Sequence, residues 1–113
     1  EAAEKFKTAL QLNPADSEIY FTIEKMERLM RNSRGALAIM ERYIYLRPLD
    51  DKGWIRLAEI YFSERSYKNR KQELTRAAEA AESAIALVPD NSEYREIAKK
   101  IQSELNTRFV NKK

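Results

Sequence analysis

The chain has no cysteine and no histidine, and only 2 glycines and 3 prolines among its 113 residues. Without cysteine there is no disulfide, no thiolate metal site and no thiol nucleophile. Without histidine the usual general base near neutral pH and the commonest zinc ligand are gone as well. Carboxylates, Lys, Tyr, Ser and Thr are left for any chemistry, and they form no catalytic constellation in the sequence. Glu24 and Glu27, the obvious carboxylate pair, share their helical stretch with Lys25 and Arg28, where solvated ion pairs are the ordinary use. The composition therefore predicts a non-enzymatic protein with no metal and no cofactor.

An excess of one charge is missing too. The 21 basic and 18 acidic residues leave a net charge of +3, with both signs mixed along the chain. That is an ordinary solvated surface, not the one-sided field of a nucleic-acid binder. No apolar run approaches the length of a membrane span, so no insertion into a bilayer is expected. The opening EAAEKFKTAL is neither a signal peptide nor a transit sequence, and the choice between the cytoplasm and a bacterial cell envelope stays open.

What fills the chain instead is Ala, Leu, Ile, Glu, Lys and Arg, residues that lose little on entering a helix. An all-α fold in a single domain follows. The prolines stand at positions 14, 48 and 89, and each closes nearly the same phrase: ALQLNPAD, YIYLRPLD and AIALVPDN. Counting back from each proline, an alanine recurs at Ala2, Ala36 and Ala77, and a facing stripe at Phe6, Met40 and Ala81 and at Ala9, Tyr43 and Ala84. This is the pattern of stacked helical hairpins. Proline cannot continue the hydrogen-bond ladder, so it stops one hairpin and lets the next restart. No such hairpin buries its apolar face alone.

Downstream of Pro48 come Trp54, Leu57, Ala58 and Tyr61, in the order large apolar, apolar, small, aromatic. Within the alanine and proline frame, WIRLAEIY resembles the tetratricopeptide repeat, whose signature is W-x2-L-G-x2-Y followed by alanine, an aromatic, alanine and proline. Ala58 replaces the glycine. The resemblance covers essentially the whole chain and implies a right-handed α-solenoid of about six helices. Its frame assigns 1–14 to the second helix of a truncated repeat, 15–48 to a repeat, 49–89 to a repeat with a seven-residue insertion, 90–107 to a capping helix and 108–113 to a tail. On this frame the chain is expected to be a piece of a longer protein.

The first full repeat departs from the pattern, with Glu24 in place of a small residue and Glu27 in place of tyrosine. The same segment resembles the half-a-tetratricopeptide repeat of RNA-processing scaffolds through Tyr20, Ile23, Met26, Glu27, Asn32, Ala36, Ile39, Glu41 and Arg42. The insertion in the next repeat lacks proline and glycine, and lengthening of both its helices by about one turn is expected, with the hairpin turn near Ser66 to Asn69. Helix caps are expected at Ser17, at Asp50 or Asp51 and at Ser92, and substantial burial at Trp54.

The tetratricopeptide resemblance implies a concave groove lined by the first helix of each hairpin, binding an extended peptide or a partner helix. Carried over position by position, it places Phe21, Lys25 and Arg28, then Lys52, Ile55, Arg56, Glu59 and Phe62, on the partner-binding face. Lys52 and Arg56 match the pair with which chaperone-adaptor members grip a terminal carboxylate, two cations one helical turn apart. The alternative surface is the basic hairpin tip, Arg65, Lys68, Arg70 and Lys71, which is either simply solvated or a dock for an acidic partner or RNA. The expected function is a protein-protein interaction scaffold binding a protein or peptide partner, with an RNA-processing or RNA-associated scaffold as the alternative. The truncated first repeat leaves self-association through the N-terminal end open.

Overall fold

A computed structural model of the chain describes residues 17–63 and 70–107. Among these residues the fold is all-α, with five helices and no strand: α1 (Ser17–Leu29), α2 (Ser33–Leu46), α3 (Asp51–Ser63), α4 (Arg70–Leu87) and α5 (Ser92–Leu105). The helix expected in 1–14 lies outside the described residues. The chain divides into two compact units, Glu1–Arg47 and Pro48–Lys113.

In the first unit α1 and α2 form an antiparallel hairpin. The Tyr20 ring near the start of α1 meets the Tyr43 ring near the end of α2 at 5.2 Å. Tyr20, Ile23, Ala36, Ile39, Met40 and Tyr43 are buried, at the helical spacing of one apolar stripe. The two acids that break the repeat pattern are buried with them. Glu24 ion-pairs with Arg28 one turn on, and Glu27 accepts a hydrogen bond from Asn32 Nδ2 at 2.9 Å.

The turn between these helices is a Schellman closure. Asn32 N–H donates to the Glu27 carbonyl at 2.8 Å and Arg31 N–H to the Arg28 carbonyl at 2.9 Å, with Arg31 at φ 59°. Asn32 then caps α2, its side-chain oxygen accepting from Gly35 N–H at 3.1 Å. One asparagine thus stops α1, starts α2 and neutralises part of the cost of burying Glu27.

In the second unit α4 packs on both α3 and α5, and α3 also touches α5. The buried stripe of α4 is Leu74, Ala77, Ala80, Ala81 and Ala84, mostly methyl groups, which lets a helix on either side approach closely. Facing it are Leu57, Ala58 and Tyr61 of α3 and Tyr94, Ile101 and Leu105 of α5, all buried. Trp54 is half-buried, and its indole N–H donates to the Pro48 carbonyl at 2.8 Å.

The prolines act as expected: α2 stops at Leu46 and α4 at Leu87, just ahead of Pro48 and Pro89. Asp50 caps α3 by accepting from Lys52 N–H at 3.0 Å. At α5 the expectation needs correction, because the cap is Asn91, which accepts from Tyr94 N–H at 3.1 Å, and Ser92 is already helical. In the insertion α4 has 18 residues against 14 in α2, one extra turn as expected, while the expected lengthening of α3 past Ser63 falls outside the described residues. The expected turn at Ser66 to Asn69 lies outside the described residues.

Gly35 sits where a Cβ would lie 2.7 Å from Asn32 Nδ2 and 2.7 Å from the Glu27 carboxyl carbon. Alanine is favoured over glycine inside a helix by about 1 kcal/mol, yet Gly35→Ala is expected to destabilise the protein by roughly 1–2 kcal/mol, because the buried carboxylate has to leave its partner. Urea unfolding of the variant tests this; a gain in stability would mean that Glu27 can swing clear.

Candidate partner-binding site

Of the expected groove residues in the first unit, Phe21 is half-buried and packs edge-on against Tyr43, with ring centroids 5.0 Å apart. Lys25 is exposed and has no ion pair among the described residues. Arg28 reaches back to the buried Glu24 and keeps 45% of its side chain in solvent.

In the second unit Lys52 is exposed and has no ion pair among the described residues, Ile55 is buried, and Arg56 pairs with Glu59 at 3.3 Å. A surface pair of this kind contributes about 0–1 kcal/mol. The burial of Ile55 removes an apolar anchor from the exposed face of α3 and leaves Phe62, which is half-exposed.

The basic hairpin tip separates into unlike residues. Arg65 and Lys68 lie outside the described residues, and Lys71 is exposed. Arg70 instead turns inward, with only 13% of its side chain exposed. Its guanidinium donates to the Phe62 carbonyl at 2.9 Å and the Tyr61 carbonyl at 3.5 Å, both at the end of α3, where the helix dipole concentrates partial negative charge. It also donates to Glu104 Oε2 on α5 at 2.8 Å, lies 3.9 Å from Glu73 and stands over the Phe62 ring at 5.9 Å from its centroid. A cation read in the sequence as part of a solvated tip therefore joins three helices.

Beside this junction is an open cleft of about 660 Å³ lined by Phe62, Lys99, Lys100, Ser103, Glu104 and Thr107. Phe62 supplies its apolar floor. Lys99 and Lys100 are exposed and have no ion pair among the described residues, while Glu104, the carboxylate in the described lining, is held by Arg70. The cleft thus offers free positive charge beside an aromatic surface, a combination suited to an acidic segment with an apolar side chain. Apart from Phe62, the residues of this cleft are absent from the groove inferred from the sequence, which treated α5 as a cap. The signal available was the polar stripe Lys100, Glu104 and Thr107, at helical spacing beside the apolar Tyr94, Ile101 and Leu105.

At the opposite end of the unit, the Tyr94 hydroxyl donates to Asp51 Oδ2 at 2.5 Å, tying the start of α5 to the start of α3. Burial of the phenol, with the hydrogen bond to Asp51 and its negative charge adding to the effect, pushes the Tyr94 pKa up to about 12.

No model of a known protein family matches the chain, and no curated protein matches it in sequence. Among the described residues no group of three or more carboxylates is placed to hold a metal ion, and no helix is long and apolar enough to cross a membrane.

Two outcomes follow from this geometry. Arg70→Ala leaves the end of α3, Glu73 and Glu104 without their shared cation, and unfolding measurements should show a loss of about 2–4 kcal/mol, against less than about 1 kcal/mol for Arg56→Ala. For Tyr94 the folded pKa lies above the ordinary value of 10.0, so the stabilisation it supplies is complete below pH 10 and is lost as pH rises toward 12. Melting curves across that alkaline range should therefore fall more steeply for the parent chain than for Tyr94→Phe.

Proposed function

We propose that the chain is a protein-protein interaction scaffold whose hairpins are successive repeats of a right-handed, tetratricopeptide-like α-solenoid. On this reading the α3–α5 cleft receives an acidic segment of a partner protein. The observation that carries the reading is the pairing of the Phe62 surface with Lys99 and Lys100, two cations with no partner among the described residues. Support for the repeat type comes from the WIRLAEIY motif, the helices that stop just short of Pro48 and Pro89, and the alanine stripe of α4. Lys52, with Arg56 one turn on, extends the basic character along α3.

The apolar contact would supply lifetime, and the lysines orientation and encounter rate. The partner, isolated on the immobilised chain and identified, should bind Lys99→Glu/Lys100→Glu about 10- to 100-fold more weakly and leave Phe62→Ala faster, with helical content unchanged in both variants. Unchanged binding by both variants would remove the cleft from the interface. Capture of RNA instead, with a steep loss of affinity as salt is raised, would favour the RNA-scaffold reading.

A further inference from the structure

The far end of the first hairpin, from Arg28 to Arg34, has a surface of its own that the cleft does not use. Leu29 is 74% exposed and Met30 52%, at consecutive positions where α1 runs into its closing turn. Schellman turns commonly cover themselves with an apolar contact between the residue after the left-handed position and the last helical turn. Here those positions are Asn32 and Glu27, which bond to each other through polar groups, and the apolar pair stays in solvent.

Charge at this end is sorted by depth. Its carboxylates are turned in, Glu24 being 0% and Glu27 3% exposed, while Arg28, Arg31 and Arg34 are at the surface. Among the described residues neither Arg31 nor Arg34 has an ion pair. Arg31 moreover occupies the left-handed region at φ 59°, a conformation in which glycine is less strained, so the turn carries a cation where backbone preference alone favours none.

We propose that this hairpin end docks on an anionic lipid surface, with Leu29 and Met30 at the boundary between headgroups and acyl chains and the arginines among the headgroups. An exposed apolar pair, with surface arginines at 28, 31 and 34 and the nearby carboxylates buried, is complementary to an interface that is anionic at its headgroups and apolar just beneath them. The hydrogen-bonded turn presents the pair already ordered, so docking loses little conformational freedom. The contact is peripheral, in keeping with helices that are too short or too polar to span a bilayer.

The test is co-sedimentation of the full chain with vesicles of phosphatidylcholine alone and of phosphatidylcholine mixed with phosphatidylserine. Association with the mixed vesicles only, weakening as salt is raised, is expected. Arg31→Gly relieves the backbone while removing a cation, so the fold is retained and partitioning should fall about fivefold, the effect of one arginine near an anionic surface. Leu29→Ser with Met30→Ser should lower it about tenfold or more. Equal association with neutral vesicles, no association with either kind, or partitioning that none of these substitutions changes would overturn the proposal. Binding to soluble polyglutamate in place of vesicles would overturn it as well, and would assign the surface to an acidic protein.

Discussion

The Arg70 guanidinium is the interaction on which the second unit depends. The carboxyl end of an α-helix carries partial negative charge, and at the end of α3 the Tyr61 and Phe62 carbonyls both accept from this one cation. Because the same cation also takes Glu104 from α5 and lies beside Glu73 on its own helix, the last turn of α3, the first of α4 and the last of α5 share one polar junction. The Tyr94–Asp51 hydrogen bond does the corresponding work at the other end. Between these two ties the packing against α4 is made largely by alanines, which permit close approach but bring little apolar area each. Polar links at both ends then fix a register that such a smooth interface leaves weakly specified.

The first unit solves a different problem, that of acids inside a small hairpin. A buried carboxylate is tolerated only when its charge is met by hydrogen bonds or a counter-charge. Glu24 has Arg28, and Glu27 has Asn32, whose side chain also starts α2. Gly35 is part of the same arrangement, since any larger residue would occupy the carboxylate's space. With its acids drawn inside, the hairpin end presents to solvent its arginines and two apolar side chains.

Both surfaces of interest arise from how charge is paired. In the cleft Arg70 occupies Glu104, and Lys99 and Lys100 face solvent without an ion pair among the described residues. Along α3 the Arg56–Glu59 pair is a weak surface contact. An excess of three positive charges over the whole chain says little about binding; its local placement, with acids consumed internally, creates the electropositive sites.

The sequence by itself determined the helices, because their signals are local. Apolar periodicity, the scarcity of glycine and proline, and the prolines at 48 and 89 depend on residues a few positions apart, and α1 to α5 lie where these signals put them. Nearby choices between similar groups were less legible: Asn91 and Ser92 are both good caps, and only the backbone geometry selects Asn91. Long-range pairing was not legible at all. Arg70 looks like one more cation in a basic stretch until the fold places Glu104 and the end of α3 around it. The cleft followed the same rule, since Phe62 was readable as an exposed aromatic while Lys99 and Lys100 came to it only through the packing of α5. Side chains far apart in the chain acquire a shared function only when tertiary packing sets their distance, and no local periodicity encodes that distance.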